Sequence, residues 1–594
     1  MSLVLEIVKF RIMVENQLRP LQRFWRLLSL DRKEIYYIYL YAIFAGLITL
    51  SLPLGIQAII GLIAGGSFSS ALVILVILVS AGIAFTGILT VMQLTVTETL
   101  QQRIFSRSAI EFAYRIPRFR INALGEEYPP ELVNRFFDTL TVQKGLPKLL
   151  MDFSTALLQI LFGLILISFY HPFFVFFSLI LLVFLGSIFF LTGNRGLLTS
   201  LKESKYKYQV VHWLEEIARN MMTFKLSGDR KFGIGKTDHL TVEYLKARKS
   251  HFRILLIQYG AIVVFKVLIT ATLLILGSVL VFDNQINIGQ FVAAEIVVIL
   301  VIGSVEKLIL NMDVLYDVLT GLEKLGTVTD LELEKNGGIS YQNLDQQKGI
   351  SIEIHDLAFR HPNAEKPTFE NFNLQIKSSE KVCLSGNLGS GKSSLIQLIA
   401  GMYDQYQGAL LYNGIPLKNM DLASIREKIG DFTNQEEIFR GTIAENICLT
   451  TDTVSLPDMI WASRQLGLES YVQRLPHGYD TTLLPGGRNV PESIRTKIIL
   501  ARAIVRRPQL LALEAFADTM SQNDKEALIR LFTHRDQPWT LVAVSNDPDF
   551  ARACDRILVL KDGNIVADGA WNELVSNPYF QQVFRVNSSI QSKR

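Results

Sequence analysis

Cysteine and charged residues are both scarce in this sequence. Only three of its 594 residues are cysteine, and all three follow residue 340 (Cys383, Cys448 and Cys554). They lack the spacing of metal ligands and are too few for a disulfide framework, so they fit a reducing cytosolic domain. Charged residues make up 19% of the chain and apolar residues 49%, and the mean hydropathy is +0.29. This composition excludes an ordinary soluble enzyme.

Charge is nearly absent from three long stretches in the first half of the chain. Residues 35–97 and 153–194 contain no Asp, Glu, Lys or Arg, and residues 254–302 contain only Lys266, Asp283 and Glu295. Each stretch can hold two spanning helices of about 20 residues, and each is broken by glycine, proline or polar residues. The pattern predicts a transmembrane domain at 34–327 with six helices, at about 35–63, 70–110, 140–170, 172–215, 245–282 and 288–325.

The distribution of Lys and Arg indicates how these helices are oriented. The tight turns between paired helices contain neither residue, whereas the long segments between pairs contain many. The positive-inside rule therefore predicts an integral protein of the inner or plasma membrane, with both termini and the C-terminal domain in the cytoplasm. Residues 1–33 are predicted to be a basic amphipathic segment lying on membrane lipid through Leu21 and Trp25; a disordered basic tail is the alternative.

The segments between the helix pairs contain about 50 residues each. They are too polar for the membrane, and they are expected to prolong the spanning helices into the cytoplasm. Each would then turn through a short cross-piece, one near residues 125–132 and the other near 220–228.

A complete phosphate-binding loop follows the membrane region. Residues 386–393 read Gly-Asn-Leu-Gly-Ser-Gly-Lys-Ser, after an apolar strand at 381–385 and before an apolar helix at 394–400. Glycines let backbone N–H groups turn towards phosphate, and the helix N-terminus favours negative charge. This context disfavours a chance glycine-rich turn. We predict ATP and Mg²⁺ as ligands, held by Gly386, Asn387, Leu388, Gly389, Ser390, Gly391, Lys392, Ser393 and Ser394.

The order of these parts resembles an ABC exporter half-transporter, over about residues 15–585. Several segments beyond the loop are similar to that family, namely 441–447, 475–481, 500–503 and 555–563. The resemblance implies an all-α six-helix transmembrane domain with long cytoplasmic extensions, a linker at 328–347, and an α/β P-loop ABC ATPase-type domain at 348–594. It also implies that this subunit pairs with a second half-transporter, identical or different. Two ATP molecules would then lie between each phosphate loop and the opposing signature segment.

The signature segment departs from the family pattern. By position it falls on Val490, Pro491, Glu492, Ser493 and Ile494. A signature offers a hydroxyl and backbone N–H groups to the γ-phosphate, and Pro491 has neither, while Glu492 brings a carboxylate. The alternative reading is purely local: Asn489 caps a helix and Pro491 lies near its first turn.

The family's catalytic positions are also substituted. Ala515 stands where the family has the Glu that polarises water, and a methyl group accepts no proton. Asn546 stands at the switch His, and His361 at the aromatic residue that stacks on adenine. The candidate Mg²⁺ ligands implied by the resemblance are Ser393, Asn434, Gln435 and Glu514. Residues 518–521 replace the family's Ser-Ala-Leu-Asp loop.

These substitutions leave two functions open. The first is an exporter subunit that binds ATP and helps to move a substrate out of the cytoplasm, with hydrolysis weak or absent in its own sites. Residues 51–57 and 286–290 favour the secretion branch that exports peptides or proteins, sometimes with a membrane-fusion or adaptor protein. The second is a non-transporting pseudo-ATPase that scaffolds or regulates a larger membrane complex. Nothing indicates a nucleic-acid partner.

Charged side chains inside the apolar stretches are expected to have partners or a function. Counting back from the turn near residue 285 places Lys266 opposite Glu306, which predicts a structural ion pair rather than a transport site. Glu295 has no evident partner and is the candidate chamber residue, with outward snorkelling as the alternative. Gln57, Gln93 and Gln159 are candidates for the cavity lining or for helix contacts.

Overall fold

The computed structural model describes residues 19–64, 70–125, 128–228, 230–341, 349–362, 364–433, 438–449, 454–517 and 520–584. The chain divides into two compact units. The membrane unit comprises Met1–Arg118 and Glu127–Leu331, and the ATPase unit comprises Phe119–Glu126 and Glu332–Arg594.

The membrane unit is all helical. Six helical segments of the described residues are long and apolar enough to cross a membrane. In chain order the helices up to residue 329 are α1 Pro20–Leu30, α2 Arg32–Thr49, α3 Ser51–Ala64, α4 Ser70–Arg115, α5 Ile121–Leu124, α6 Pro129–Asn134, α7 Asp138–Ser168, α8 Pro172–Arg219, α9 Met221–Leu226, α10 Arg230–Phe282, α11 Ile288–Leu310 and α12 Met312–Thr329.

Some helix limits differ from those expected from the sequence. The fifth spanning helix, α10, begins at Arg230 instead of residue 245. The apolar pattern marks only the part inside lipid, whereas a helix beyond the membrane tolerates charges on every face. The first span is interrupted at Leu50, between α2 and α3, and the sixth at Asn311, between α11 and α12. The other limits shift by a few residues, as helix ends commonly do.

Polar side chains join the spanning helices. Lys266 Nζ donates to Glu306 Oε2 at 3.3 Å, which confirms the predicted pair. The three glutamines make contacts between helices: Gln93 donates to the carbonyl of Ile38, Gln159 accepts from Ser304, and Gln57 accepts from Tyr170. Glu295 is partly buried in α11 and has no hydrogen bond or ion pair within the described ranges.

The described part of the N-terminal segment is α1, which ends at Leu30; residues 1–18 lie outside the described residues. On this helix Leu21 and Trp25 are exposed. Its Arg23 guanidinium donates to the Asp330 carboxylate and lies 3.4 Å from Glu323, beside and just beyond the end of α12. Leu21 and Trp25 are thus exposed on α1, while Arg23 is held by two carboxylates.

The ATPase unit is an α/β domain with two main sheets. The antiparallel sheet has the strand order β2-β1-β4-β5, and the six-stranded sheet has the order β12-β11-β3-β10-β9-β6. Strands β3, β6, β9, β10 and β11 run parallel, and only β12 is antiparallel to its neighbour. The first strands and helices of the unit are β1 Ile352–Phe359, β2 Phe369–Ile376, β3 Lys381–Gly386, α13 Lys392–Ile399, β4 Gln407–Tyr412, β5 Ile415–Pro416, α14 Leu422–Arg426 and β6 Ile429–Phe432.

A helical part is inserted between β6 and β9, and the chain then returns to the sheet. The remaining elements are β7 Gly441–Thr442, α15 Ile443–Cys448, α16 Leu456–Gln465, α17 Glu469–Val472, β8 Thr482–Leu483, α18 Glu492–Ile504, β9 Leu510–Glu514, α19 Gln522–Thr533, β10 Thr540–Val544, α20 Pro548–Ala553, β11 Arg556–Lys561, β12 Asn564–Gly569, α21 Trp571–Leu574 and α22 Pro578–Phe584. Six spanning helices followed by this domain confirm the predicted fold class.

One segment of the ATPase unit comes from the first half of the chain. Phe119 forms a β-bridge with Leu333, and the Arg120 guanidinium donates to Asp404 and Glu332, both at 2.6 Å. Phe119 and Arg120 are thereby fixed to the ATPase unit, immediately before α5. The predicted cross-piece, near residues 125–132, contains the start of α6, which lies in the membrane unit. The sequence did not predict that Phe119 and Arg120, just before it, belong to the ATPase unit.

Candidate nucleotide-binding site

The phosphate loop joins a buried strand to a helix. All six residues of β3 are buried, because β3 lies between β10 and β11 in the parallel part of the sheet. The loop emerges at the carboxyl end of β3, where ligands bind in open α/β sheets. Gly391 has φ +101° and directly precedes Lys392, the first residue of α13. A left-handed residue at this point favours glycine, and it turns the free N–H groups of α13 towards the loop.

Lys392 lies across the loop. Its Nζ donates to the carbonyl oxygens of Gly386 and Asn387, both at 2.8 Å, and to Ser390 Oγ at 3.3 Å. Burial lowers the pKa of this amine, and the nearby Glu514 carboxylate opposes that shift. An ammonium in this position can neutralise phosphate charge.

Two of the predicted Mg²⁺ ligands meet at this loop. Ser393 Oγ is hydrogen-bonded to a carboxylate oxygen of Glu514, the last residue of β9. A hydroxyl and a carboxylate beside a phosphate cradle are the hard oxygen donors that Mg²⁺ prefers, so these residues fit the ion. The other two candidates, Asn434 and Gln435, lie outside the described residues.

The residue after Glu514 offers no proton acceptor. Ala515 is partly buried, has φ +52°, and ends in a methyl group. Its backbone N–H makes a long contact, 3.5 Å, with the carbonyl of Val544. The position that follows Glu514 therefore carries no carboxylate. Residues 518 and 519 of the neighbouring substituted loop lie outside the described residues.

Asn546 is hydrogen-bonded to the first residue of the loop. Its Oδ1 accepts from the backbone N–H of Gly386, and its Nδ2 donates to the Gly386 carbonyl, each at 3.2 Å. Both polar ends of this side chain, which the resemblance assigns to the switch-His position, are thus engaged by the backbone of Gly386, the last residue of β3. The sequence analysis singled out Asn546 as a substituted residue, but it did not predict this contact with Gly386.

The adenine side of the candidate site contains three rings. His361 Nε2 is 2.8 Å from Ser394 Oγ, and burial lowers the pKa of the imidazole. Its ring lies beside Phe359, with centroids 4.9 Å apart, and beside Tyr403, at 5.5 Å. Sequence reasoning missed Tyr403, although an aromatic residue closely following the phosphate-loop helix was a usable signal.

The signature segment lies at the start of α18, where no side chain caps the helix. Pro491 is the N-cap of α18, and the exposed Glu492 carboxylate accepts from Arg495 Nη2 at 3.3 Å. The expected capping role of Asn489 is wrong, because its amide bonds the backbone around β8, at Thr482 and Leu484. Within the described part of the chain, no hydrogen bond or ion pair links residues 490–494 to the phosphate loop.

The fold and this loop together define a membrane transporter subunit with an ATP-binding domain. Comparisons with known families agree: the profile of the ABC transporter transmembrane region matches residues 35–305, and the profile of the ABC transporter matches residues 369–516. The two matches together span most of the chain. The protein belongs to the ABC transporters and has the architecture of an exporter half-transporter.

Individual relatives are distant. The alpha-hemolysin translocation ATP-binding protein HlyB of Escherichia coli O157:H7 is 27% identical over 301 residues, which are 51% of this chain and 42% of HlyB. The ABC transporter B family member 19 of Arabidopsis thaliana is 29% identical over 318 residues, 52% of this chain and 25% of that relative. The chain thus spans less than half of the length of these relatives.

A solved structure has the same fold. The structure of a bacterial Atm1-family ABC exporter with ATP bound aligns with a TM-score of 0.81 at 16% sequence identity, and the alignment covers 94% of this chain and all of that one. At this identity the likeness concerns the fold alone.

Proposed function

We propose that this protein is an exporter subunit that binds ATP and Mg²⁺ and helps to move a substrate out of the cytoplasm, while its own catalytic elements hydrolyse ATP weakly or not at all. One observation carries the proposal: Lys392, Ser393 and Glu514 are assembled at the phosphate loop, and the adjoining position holds Ala515. Binding of ATP–Mg²⁺ needs Lys392, Ser393 and Glu514, whereas activation of the attacking water needs a base at position 515.

Two further observations support weak hydrolysis. Asn546 is committed to the backbone of Gly386. In the signature segment Pro491 supplies neither hydroxyl nor N–H, and Glu492 places a carboxylate next to Arg495. If two subunits pair as the resemblance implies, each composite site combines a loop from one chain with a signature from the other. Whichever partner it has, this chain would then contribute Ala515 to one composite site and the substituted signature segment to the other.

The proposal also covers the class of substrate, the transport chamber and the membrane in which the protein lies. The similarity to HlyB, together with residues 51–57 and 286–290, favours the secretion branch and a partner of the membrane-fusion or adaptor type. We propose Glu295 as a residue of the transport chamber, because it is partly buried without a protein partner in the described residues. The positive-inside distribution supports a cytoplasmic ATPase domain and termini in an inner or plasma membrane.

The alternative function is a pseudo-ATPase that scaffolds or regulates a membrane complex. The signature segment favours it, since Glu492, the first residue of α18, pairs with Arg495 of the same helix and offers a carboxylate rather than a donor to a phosphate. ATP binding would then stabilise an assembly rather than drive transport.

The two functions are separated by isolating the protein from its native membrane in mild detergent and identifying the chains that copurify. The exporter proposal expects a dimer, either homodimeric or with a second half-transporter. It expects ATP-dependent substrate movement in vesicles that contain a copurified half-transporter, because the homodimer alone should hydrolyse ATP near background. A stable complex with unrelated membrane proteins, and no ATP-dependent flux with any copurified partner, would favour the scaffold.

A further inference from the structure

A cavity of about 590 Å³ lies in the membrane unit, beyond the apolar part of its helices. Its walls come from α6, α8, α10 and α12 and from the turn that follows α6, so residues far apart in sequence meet there. The volume is within the usual range of small-molecule sites. None of the substituted catalytic positions contributes to it, and all of its walls belong to one unit.

Arg135 is the central cation of this cavity. Its guanidinium stacks on the Tyr208 ring, with Cζ 3.9 Å from the ring centroid. The Nε and Nη1 atoms are buried and donate to no protein atom of the described residues. The nearest carboxylate, Glu131, is 4.0 Å from Nη2. A buried charged donor without an acceptor is costly, so this arginine is suited to an anionic ligand.

Three lysines surround this arginine. Lys236 Nζ lies 3.9 Å above the Trp213 ring, and Lys324 Nζ lies 5.8 Å from the Tyr208 ring. Lys205 is exposed at the rim. Within the described ranges none of the three makes an ion pair with a carboxylate.

The carboxylates of the cavity are already paired. Glu131 accepts from His212 at 2.9 Å, and Glu216 accepts from Arg219 at 2.8 Å. Four cationic side chains of Arg or Lys therefore line the cavity against two engaged glutamates. Arg135 and Lys236 cover the ring faces of Tyr208 and Trp213, so these faces are not available to stack on a ligand. The groups that remain to bind a ligand are N–H donors. This combination fits oxygen anions better than planar or apolar ligands.

The cavity is remote from lipid headgroups. The apolar run of α8 ends at Asn194, and Tyr208 and Trp213 follow 14 and 19 residues later in the same helix. At 1.5 Å per residue they lie about 20–30 Å beyond the end of that run. Headgroup charge is screened over about 8–10 Å at physiological salt, so a ligand must come from the aqueous phase.

We propose that this cavity is a binding site for a small, multiply charged oxyanion in solution, held by Arg135, Lys236 and Lys324. A single anion there would bridge the turn after α6 to α10 and α12. Such a bridge would tie together helices that continue directly into the membrane spans.

The test measures local protection of lysines. The full-length protein in detergent, without ATP, is acylated with an N-hydroxysuccinimide ester while inorganic phosphate or citrate is titrated at constant ionic strength against chloride. Mass spectrometry then reports each lysine. We expect Lys236 and Lys324 to be protected with one common saturation midpoint, while Lys202 and Lys246, which do not line the cavity, stay reactive. Phosphate and citrate arms distinguish phosphate-type from carboxylate-type ligands.

Two variants and a matched control decide the assignment. Arg135→Gln should raise the midpoint at least tenfold, as expected for the loss of a charged hydrogen-bonding partner. Lys236→Gln, at an exposed side chain, should weaken protection of Lys324 without affecting folding. The control Arg253→Gln changes an exposed arginine of α10 that does not line the cavity, and it should leave the midpoint unchanged.

Three results would overturn the proposal: uniform protection of all lysines, protection confined to Lys392, or unchanged midpoints in both cavity variants. The last measurement repeats the acylation with the protein in lipid nanodiscs. Protection of Lys236 by anionic lipid in the absence of phosphate and citrate would assign the cavity to headgroups, and would also reject a soluble ligand.

Discussion

Asn546 holds Gly386 by both of its backbone polar groups, with two hydrogen bonds of 3.2 Å. The contact joins the segment after β10 to the start of the phosphate loop, between strands that are already paired in parallel. An amide side chain suits this task, because it carries one donor and one acceptor side by side. Asn546 therefore fixes the start of the phosphate loop to the segment after β10.

Replacing Asn546 should destabilise the ATPase domain. Asn546→Ala leaves the Gly386 N–H and C=O without these partners, and we expect a loss of about 1–3 kcal/mol in the free energy of unfolding. Asn546→Asp keeps the acceptor and loses the donor, so its loss should be smaller. Denaturant unfolding of the full chain, followed by tryptophan fluorescence, measures both. Equal stability of the Ala variant and the parent would mean that the contact contributes nothing.

Binding of ATP–Mg²⁺ should depend on Lys392. Lys392→Ala removes the ammonium that lies across the loop, and we expect binding to fall below detection in equilibrium measurements with a fluorescent ATP analogue. The control Lys377→Ala changes an exposed lysine after β2 and should bind normally. Equal binding by both variants would reject the assignment of the phosphate loop.

ATP hydrolysis by the purified chain, alone or as a homodimer, should stay near the background set by Lys392→Ala. Loss of one stabilising donor typically lowers the rate by about 10²–10³, and each homodimeric site would have faults at both Ala515 and the signature. Ala515→Glu alone should not restore activity, because Pro491 and Glu492 remain. A turnover of about 1 s⁻¹, abolished by Lys392→Ala, would contradict the proposed assignment of the catalytic positions.

The membrane topology can be tested by cysteine labelling in intact cells. Cysteines introduced at Ser67, His171 and Asn284 should react with an impermeant reagent from outside, while those at Gly228 and Ser340 should react only after permeabilisation. Of the native cysteines, Cys383 and Cys554 are buried and Cys448 is partly buried, all within the ATPase unit, so background should be low. Labelling of Gly228→Cys from outside would overturn the orientation.

The stability of the ATPase domain should rise with pH because of Lys381. This side chain is buried, its Nζ donates to the carbonyls of Gln537 and Trp539, and burial lowers its pKa from 10.5 to about 8. Below pH 8 the amine is charged in both the folded and unfolded states, and the full desolvation penalty applies. Between about pH 8 and 10.5 the folded state releases the proton first, so the free energy of unfolding increases, by about 2 kcal/mol up to pH 10.

The matched variant for this effect is Lys381→Met. It should lack the part of the rise that Lys381 contributes, while every other titrating group is retained. Fluorescence of Trp539, which is buried beside Lys381, reports the local unfolding. Parallel pH profiles for the variant and the parent would show that burial does not perturb this lysine.

The parts that could be predicted from the sequence are those set by residues close together in the chain or by simple counting. The phosphate loop is eight consecutive residues, and Lys266–Glu306 follows from the register of one helical hairpin. The lack of charge predicts the spanning helices. It does not predict that α10 begins at Arg230, because hydropathy does not mark where a helix ends in water.

Other features depend on chain folding and had no local signal. Asn546 and Gly386 are 160 residues apart, and the cavity around Arg135 is built from four separate segments of the chain. Tyr403, which follows α13, lies beside His361, which follows β1, although the two residues are far apart in the sequence. Such contacts are fixed by tertiary packing, which a reading of motifs does not supply.

Because the segment Phe119–Glu126 belongs to the ATPase unit, each of the two units is built from two separate stretches of the chain. The polypeptide crosses from one unit to the other three times, after Arg118, after Glu126 and after Leu331. No single cleavage can therefore separate them cleanly. A fragment beginning at Glu332 would lack the bridge partner of Leu333 and the guanidinium that binds Asp404, so an ATPase domain expressed by simple truncation would be an incomplete folding unit.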